Sequence, residues 1–259
     1  MQDWKNKFPK ENRIFETSNG ILYHADCREQ LKLIPSDSID LIIIDPPYLT
    51  TKEKWDTVEI VNENLSRQLH KIGSTQSSLY VWCGIGEKSQ SLIRWFPIFA
   101  KHWYFKDLIT WKKQRGYGNR KGWLYTREEI MWFVKSKNQF IWRQEFQYSN
   151  EKSNFVLGKG AWATKTGYKR IPNVWTDVKE NYFGTRLTTI SVKHYTPKPL
   201  EALIRIIKVH TDKNSIVLDA FCGSGSTAIA CEKLNRKWIG IEINKEFCQI
   251  VQQRFQNLS

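Results

Sequence analysis

Short apolar runs alternate with stretches of helical spacing along most of the chain, and this alternation predicts an α/β fold. The run at 40–44 is rich in β-branched residues and apolar on both faces, which is typical of a central strand in a sheet that is covered on two sides. In the first half we predict strands at 21–24, 40–44, 79–83, 108–111 and 130–134, and helices through Leu31 and Leu33, at 58–72 and at 87–100.

The regular pattern stops in the middle of the chain and returns near Pro197. Residues 140–192 form short aromatic and basic pieces, with too many aromatic side chains for a solvated coil, so we predict an inserted lobe. Residues 1–20 are polar and unpatterned, and we predict an arm or loop there. The predicted elements of the last part are a helix at 199–210, a strand at 215–219, a helix at 228–234, a strand at 237–242 and a helix at 246–255.

The length and composition fit one large α/β domain or one domain with an inserted lobe. From the order of the elements we predict a doubly wound, mostly parallel sheet. The chain has 259 residues, of which 41% are hydrophobic. The predicted boundaries are an arm at 1–20, the α/β domain at 21–139 and 194–259, and the lobe at 140–193.

The sequence contains neither a membrane-spanning or signal segment nor a cysteine pair typical of a zinc site. No apolar run is long enough to span a membrane and no apolar signal segment is evident, so we expect a soluble, cytoplasmic protein without a membrane partner. The five cysteines are scattered and include no Cys-x-x-Cys pair, which argues for reduced thiols and against a zinc site.

Positive charge is concentrated in the middle of the chain. Residues 101–200 carry 20 Lys and Arg against 7 Asp and Glu, and they hold seven of the twelve tryptophans. A basic region interleaved with aromatic residues is the footprint expected for a nucleic acid, although a solvated basic face would explain the charge alone. Residues 112–122 carry five positive charges and three glycines without an acid, so this predicted loop can approach a phosphate backbone closely.

The strand at 40–44 ends at Asp45, which is followed by Pro46, Pro47 and Tyr48. Ligands of open α/β sheets bind at this carboxyl edge of the strands. The two prolines remove two N–H donors, which leaves a rigid corner rich in acceptors beside a flat ring. Such a corner suits a planar amino group, for example the exocyclic amine of a nucleobase. An ordinary strand end with a Pro-Pro turn is the simpler interpretation.

A second candidate site follows the strand at 215–219. The loop 221–227, Phe-Cys-Gly-Ser-Gly-Ser-Thr, places two glycines at a strand-to-helix turn, where the backbone can approach a ligand. Glu242 ends the next strand, where a carboxylate can accept both hydroxyls of a ribose. The loop is not a phosphate-binding loop, since no Gly-Lys-Ser/Thr follows, and Ala228 stands where a dinucleotide site has its third glycine. A tight turn beside a solvent-facing Glu242 is the alternative.

As a set, these motifs resemble the amino-methylating DNA methyltransferases that use S-adenosylmethionine. Asp45-Pro-Pro-Tyr48 precedes Phe221-x-Gly-x-Gly225 with a basic lobe between them, and this order looks like the circularly permuted beta class of that family. The resemblance runs from about 21 to 257 and implies a Rossmann-like methyltransferase fold in which the inserted lobe recognises the target. Further matches are His194-Tyr-Thr-Pro-Lys-Pro199 and Asn173-Val-Trp175.

The resemblance implies a role for each matching position, and it implies no metal. Asp45, Pro46, Pro47 and Tyr48 would hold a base flipped out of duplex DNA. Glu242 would bind the cofactor ribose. The cofactor adenine would contact Asp26 and Cys27, unless Asp26 serves only as a helix N-cap. The positions implied to wrap or assist the methionine part of the cofactor are Thr196, Lys198, Phe221, Gly223, Ser224, Gly225, Ser226 and Thr227.

Basic and aromatic residues outside the two motifs are candidate contacts to DNA. Trp55, Trp111 and Tyr125 are candidates for a wedge or a stacking partner, and Trp111 fits a buried core position better. The predicted DNA-binding residues are Lys54, Trp55, Lys112, Lys113, Arg115, Arg120, Lys121, Lys165, Lys169 and Arg170.

The function implied is site-specific methyl transfer to the N6 amine of adenine in duplex DNA, because the family associates Asp-Pro-Pro-Tyr with adenine and Ser-Pro-Pro-Tyr/Phe with cytosine N4. Cytosine N4 and adenine in RNA stay open as substrates. The non-enzymatic alternative is a catalytically dead nucleic-acid-binding protein, which predicts decay at Asp45, Gly223, Gly225 or Glu242, and all four are intact. A homodimer, a cognate restriction endonuclease acting on the same site, and association with the nucleoid are further expectations.

Overall fold

A nine-stranded mixed sheet forms the centre of the protein. The computed structural model describes residues 3–50, 56, 59–118, 121–146, 148–152, 168–180 and 197–257. Their strands are β1 (Arg13–Glu16), β2 (Gly20–His24), β3 (Ile39–Ile44), β4 (Gly73–Cys83), β5 (Tyr104–Tyr117), β6 (Tyr125–Val134), β7 (Tyr148–Lys152), β8 (Tyr168–Arg170), β9 (Val174–Trp175), β10 (Ile216–Asp219) and β11 (Lys237–Glu242). The order across the large sheet is β1-β2-β11-β10-β3-β4-β6-β5-β9, while β7 and β8 form a separate hairpin.

Helices cover both faces of this sheet. They are α1 (Cys27–Leu33), α2 (Glu63–Ile72), α3 (Ser91–Ala100), α4 (Leu200–His210), α5 (Ser226–Lys233) and α6 (Lys245–Gln256). The first three helices pack on one face and the last three on the other. Side chains of β3 alternate between the two cores, with Leu41 and Ile43 in one and Ile39, Ile42 and Ile44 in the other. The predicted central strand and the doubly wound α/β fold are therefore confirmed.

The five central strands are parallel, and they come from the two ends of the chain. The strands β10 and β11 lie between β2 and β3, and each parallel neighbour pair is directly hydrogen-bonded. The chain moves outward from β10 to β11 in one direction and from β3 to β4 in the other. The strand order thus reverses between β10 and β3, which is the position where open α/β sheets bind ligands.

The start of the chain differs from the predicted arm. Residues Arg13–Glu16 form β1, which pairs antiparallel with the edge of β2. Its alternation of exposed and partly buried residues is only four residues long, and Phe15 packs edge-on against Phe255 at a ring distance of 5.5 Å. The Arg13 guanidinium donates to the carbonyls of Lys5 and Phe8, at 2.6 and 2.8 Å, and so ties the preceding residues to the sheet. So short a pattern is not visible in the sequence alone.

The segment predicted as a basic loop at 112–122 is largely strand. The strand β5 continues to Tyr117 and pairs antiparallel with β6, with Lys112 opposite Arg127 and Tyr117 opposite Tyr125. We call residues 112–127 the basic hairpin. Cross-strand pairing outweighs the weak strand preference of its glycines because each paired residue adds ladder hydrogen bonds.

Two predicted helices begin later than expected, and part of the predicted lobe joins the main sheet. The helix α2 begins after Asn62, whose side chain accepts from the Leu65 N–H at 3.0 Å, and α3 begins at Ser91. The strand β9 pairs with β5, and Trp175 is buried in the main core. Among the described helices, none combines the length and apolarity that crossing a bilayer requires.

Candidate active site

A pocket of about 400 Å³ opens at the carboxyl edge of the parallel strands. It is lined by the residues that follow β2, β3, β10 and β11, so the two ends of the chain build it jointly. Asp45 and Asp219 each stand at the end of one of the two strands that flank the reversal point. The motif after β3 and the glycine loop after β10 therefore face one cavity.

The Asp45 corner is held rigid from within. The Tyr48 hydroxyl donates to Asp45 Oδ1 at 2.9 Å, and the Tyr48 ring meets Trp95 edge-on at a centroid distance of 5.7 Å. Pro46 is buried, whereas the Asp45 side chain keeps 32% of its surface exposed. The next turn is fixed by Asp56, which accepts from the Leu49 N–H at 2.7 Å. A carboxylate and an aromatic ring are thus presented together to the pocket.

Lys198 joins this corner to a buried row of charges. Its ammonium lies 2.9 Å from Asp45 Oδ2 and 3.1 Å from Glu128 Oε2. The same ammonium lies over the rings of Tyr48 and Trp82, 5.3 and 5.2 Å from their centroids. The other oxygen of Glu128 pairs with the Lys113 ammonium. Two carboxylates and two ammonium groups therefore alternate from β3 to β5.

The alternation sets the protonation of each group. Burial lowers the pKa of Lys198, but the carboxylates of Asp45 and Glu128 outweigh burial and hold that pKa above its usual value. Burial raises the pKa of Glu128, and the two ammonium groups outweigh it and lower that pKa. Burial and the neighbouring Glu128 raise the pKa of Asp45, and it stays above its usual value although Lys198 lowers it. Asp45 is thus a better proton acceptor than an ordinary aspartate, next to a lysine that stays charged.

The glycine loop has a backbone conformation that strongly favours glycine over residues with a Cβ atom. Gly223 and Gly225 have φ values of 51° and 80°, in the left-handed region. A Cβ on Gly225 would lie 2.9 Å from Val251 Cγ2 of α6. Arg254 of the same helix donates to the Ser224 carbonyl at 2.6 Å. The last helix therefore fixes this loop from behind, and the loop backbone faces the pocket.

Buried carboxylates line the cavity on the glycine-loop side. Glu242 accepts from the N–H groups of Gly223 and Asn244 at 2.6 and 2.8 Å, and burial raises its pKa. Burial also raises the pKa of Asp219 to about 7, although its carboxylate accepts from the Phe221 N–H at 3.0 Å. Each carboxylate oxygen has lone pairs beyond these bonds. This half of the pocket can therefore accept hydroxyl groups and favours a positively charged ligand.

Asp26 caps the N-terminus of α1, which was the alternative to cofactor binding, and it also lines the pocket. Its Oδ1 accepts from the Arg28 N–H at 2.9 Å as the N-cap of α1, and the Arg28 guanidinium pairs with both of its oxygens. Hydrogen bonds to Arg28 lower the pKa of Asp26. Cys27 is buried beside it, and burial raises the pKa of its thiol to about 12.

The two predicted site sets converge on this one cavity. All four residues of the Asp45–Tyr48 motif line it, whereas Gly225 is not on the pocket wall and lies against Val251 of α6. Thr196 lies outside the described residues. Lys198 lines the pocket, with its ammonium directed to the Asp45 side rather than to the glycine loop. The other predicted cofactor residues on the pocket wall are Asp26, Cys27, Phe221, Gly223, Ser224, Ser226, Thr227 and Glu242.

The predicted DNA-binding residues divide into three groups. Lys54, Trp55, Arg120 and Lys165 lie outside the described residues. The prediction that Lys113 contacts DNA was wrong. Side chains alternate along β5, so Lys113 lies on the same buried face as Trp111, and its ammonium pairs with Glu128 instead of facing solvent. The Trp111 indole donates to the Val178 carbonyl at 2.9 Å, so this ring belongs to the core. The exposed members are Lys112, Arg115, Lys121, Lys169 and Arg170.

Four site residues were not anticipated from the sequence: Glu128, Asp219, Asp56 and Arg254. Glu128 and Glu129 are adjacent acids that directly precede an apolar run, which is a signal that could have drawn notice to them. Asp219 ends a predicted strand in the same way as Asp45 does. Arg254 carries no local signal, since only the packing of α6 brings it to the loop.

Comparison with known proteins gives a consistent family. The model of a family described as DNA methylase, of the N6/N4 type, matches residues 39–253. Type II methyltransferase M1.MboII of Moraxella bovis is 31% identical over 249 residues, which cover 87% of this chain and 92% of the relative. DNA adenine methyltransferase YhdJ of Escherichia coli (strain K12) is 26% identical over 244 residues, which cover 88% of this chain and 80% of the relative.

Solved structures share the fold. The M1.HpyAVI–SAM complex has a TM-score of 0.60 at 24% identity, covering 90% of this chain and 98% of that one. The cytosine-N4-specific PvuII DNA methyltransferase has a TM-score of 0.72 at 19% identity, covering 96% and 90%. At these identities the likeness concerns the architecture.

Proposed function

The chain belongs to the DNA methylases of the N6/N4 type, and from this premise we propose that it transfers a methyl group from S-adenosylmethionine to the N6 amine of an adenine flipped out of duplex DNA. One observation carries the proposal. A single pocket joins the Asp45–Tyr48 corner, which suits an amine, to the glycine loop, which suits a nucleoside. Its volume of about 400 Å³ lies in the range of small-molecule sites.

The residues on the glycine-loop side fit S-adenosylmethionine as the methyl donor. Gly223 and Gly225 let the backbone approach a ligand, and Glu242 has lone pairs left for ribose hydroxyls. The carboxylates of Asp219 and Glu242 disfavour an anionic ligand and favour a cationic one. When bound, S-adenosylmethionine supplies an electrophilic methyl group on a positively charged sulfur.

Asp45 and Tyr48 act on the amine of the base. Such an amine is a poor nucleophile because its lone pair is delocalised into the ring, and an acceptor for its hydrogens builds charge on the nitrogen. Lys198 holds Asp45 at 2.9 Å, so the carboxylate needs little rearrangement when the base arrives. The proton that the amine gives up can move to Asp45, whose raised pKa favours uptake.

The choice of adenine rests on Asp45. By family resemblance, Asp-Pro-Pro-Tyr goes with adenine, and a relative covering most of the chain is an adenine methyltransferase by name. The N4 amine of cytosine is the second candidate, because the family model spans both types and PvuII DNA methyltransferase is cytosine-N4-specific. Both amines present two hydrogens to the same acceptors, so the chemistry of the corner alone suits either base.

The DNA-facing surface is proposed to include the exposed cations of the basic hairpin and of β8. Residues 140–193 are proposed as the target-recognition lobe, because they carry the irregular aromatic and basic pieces between the two motifs. We further propose that this chain works in a restriction-modification system with a cognate endonuclease that acts on the same site, and the similarity to the Type II methyltransferase M1.MboII supports this. A homodimer is part of the same proposal.

The test is to identify the methylated product. The protein is incubated with S-adenosylmethionine carrying a labelled methyl group and with unmethylated duplex DNA, and the DNA is digested to nucleosides for mass identification. We expect labelled N6-methyldeoxyadenosine. Labelled N4-methyldeoxycytidine would keep the family and the mechanism and overturn the choice of base. Label in RNA and none in DNA would overturn duplex DNA as the substrate.

A further inference from the structure

The tip of the basic hairpin exposes apolar side chains to an unusual extent. Trp123 is 95% exposed and Leu124 is 63% exposed, directly before the start of β6. The other tryptophans of neighbouring strands, such as Trp111 and Trp132, are buried in the core. Large apolar side chains that remain in water on a defined element mark an interaction surface more often than a packing defect.

The hairpin tip lies on the same side of the molecule as the pocket. The strand β6 runs antiparallel to β4, so β6 begins at the carboxyl edge where Asp45 also stands. Glu128 of β6 contacts Lys198, which contacts Asp45. Trp123 lies five positions before Glu128 in the sequence, and five residue steps span at most about 17 Å. Trp123 therefore lies within reach of a duplex whose base enters the pocket.

The hairpin is anchored at its base. The Tyr125 hydroxyl accepts from the Glu87 N–H at 3.4 Å, and the Tyr125 ring covers Gly86. On the other strand, the N–H groups of Gln114 and Arg115 donate to Glu180 at 2.6 and 3.2 Å. These contacts hold the tip in a set direction relative to the pocket.

The positive charge around the hairpin tip favours DNA over a second copy of this chain as the binding partner. Residues 112–127 contain six basic residues and no acid, and Lys112, Lys121 and Arg127 are exposed. Two copies of this hairpin would repel each other at such a contact. A phosphate backbone would be attracted to it, and base stacks lie between the two backbones of a duplex. Apolar tips with a basic rim are the form in which proteins wedge between base steps.

We propose that Trp123, supported by Leu124, inserts into the DNA stack beside the target base and fills the gap that the base leaves when it enters the pocket. The proposal rests on the proposed function, since it needs a base to be flipped. Filling the gap offsets the loss of stacking, so the flipped state gains population. Trp123 is thus a positioning residue, separate from the groups that act on the amine.

The test compares two duplexes that differ only opposite the target base. The modified site is first mapped with the wild-type protein on unmethylated DNA. In one duplex the normal partner base stands opposite the target base. In the other duplex that position is abasic, so flipping the target base breaks no base pair. Single-turnover methyl transfer and DNA affinity are measured for wild type, Trp123→Ala, Trp123→Phe and the control Ile93→Ala, which truncates another exposed apolar side chain.

We expect Trp123→Ala to slow transfer at least about tenfold on the paired duplex and to return to within about threefold of wild type on the abasic duplex. Trp123→Phe keeps most of the rate, and Ile93→Ala matches wild type on both duplexes. Wild-type rates for Trp123→Ala on the paired duplex would overturn the proposal, and so would an equal loss on both duplexes. Loss of a dimer in Trp123→Ala, with equal loss on both duplexes, would assign the tip to a second copy. Absence of transfer by wild type would instead remove the proposed function itself.

Discussion

Lys198 links the Asp45 corner to the buried carboxylate of Glu128. The family resemblance assigned Lys198 to the cofactor, whereas its ammonium lies between the carboxylates of Asp45 and Glu128. A buried ammonium is costly unless it is paired, and a buried carboxylate is costly for the same reason. The row from Asp45 through Lys198 and Glu128 to Lys113 lets three buried charges and the partly exposed Asp45 neutralise one another. Asp45 is thereby kept in one orientation, and its Oδ1, which accepts from the Tyr48 hydroxyl, has a further lone pair for an incoming amine.

Asp219 makes the stability of the protein depend on pH. Burial raises the pKa of its carboxyl from 3.8 to about 7. The folded state then binds this proton more tightly than the unfolded chain does, so the stability contributed by this group falls as pH rises from about 4 to about 7. The whole shift corresponds to roughly 4 kcal/mol.

We therefore expect Asp219→Asn to be more stable than wild type at pH 8, by a few kcal/mol, because the amide has no charge to desolvate. The difference should shrink toward zero near pH 4, where the wild-type carboxyl is protonated in both states. Denaturant unfolding without ligand at the two pH values measures this, and Glu29→Gln controls for removing an exposed charge. A difference between wild type and Asp219→Asn that does not change with pH would contradict the account.

Among the structural elements, the glycine loop shows how α6 shapes a ligand site from behind. At Gly225, a side chain meets two separate penalties, the left-handed φ of 80° and the 2.9 Å approach of Val251 Cγ2. Left-handed backbone costs an L-residue about 1–2 kcal/mol. A shift of the loop to relieve the contact would also move the Gly223 N–H away from Glu242.

We expect Gly225→Ala to weaken S-adenosylmethionine binding by roughly tenfold or more and to lower the free energy of unfolding by about 1–3 kcal/mol. Adding Val251→Ala should recover the part due to the steric contact and leave the part due to φ. Calorimetric binding and denaturant unfolding separate the two parts. Gly86→Ala is the matched control, since its Cβ would meet the Tyr125 ring at an ordinary 3.5 Å. Wild-type binding by Gly225→Ala would show that the loop shape does not matter for the ligand.

The elements that could be predicted are those with a local signal. The apolar run of β3, the glycine turn after β10 and the amphipathic face of α4 are visible in a few consecutive residues. The pairing of Glu128 with Lys198 and Lys113 is not visible in any short stretch of sequence. It depends on the register of β5 and β6 and on the placement of α4 beside β3. Lys113 was misassigned for this reason: a lysine in a basic segment gives no sign that its strand turns it inward. The edge strand β1 and the extended hairpin likewise depend on partners distant in sequence.

At the scale of the whole molecule, the two halves of the chain each supply one half of the pocket. The strand order puts β10 next to β3 although residues 45–215 lie between them in sequence, so the Asp45 corner and the glycine loop become neighbours only in the folded sheet. The exposed cations of the basic hairpin lie toward the same edge. We propose that these halves have separate tasks, with the Asp45 half acting on the base and the glycine half binding the cofactor.

Single-turnover methyl transfer by Asp45→Ala tests this division of tasks, with the affinity for S-adenosylmethionine measured by calorimetry on the same preparation. We predict that the affinity stays within about threefold of wild type while transfer falls by roughly a thousandfold, since the acceptor for the amine is gone. Gly225→Ala should show the opposite pattern, with weak cofactor binding and transfer that recovers at saturating S-adenosylmethionine. Transfer by Asp45→Ala within about tenfold of wild type would contradict the account and remove Asp45 from the reaction.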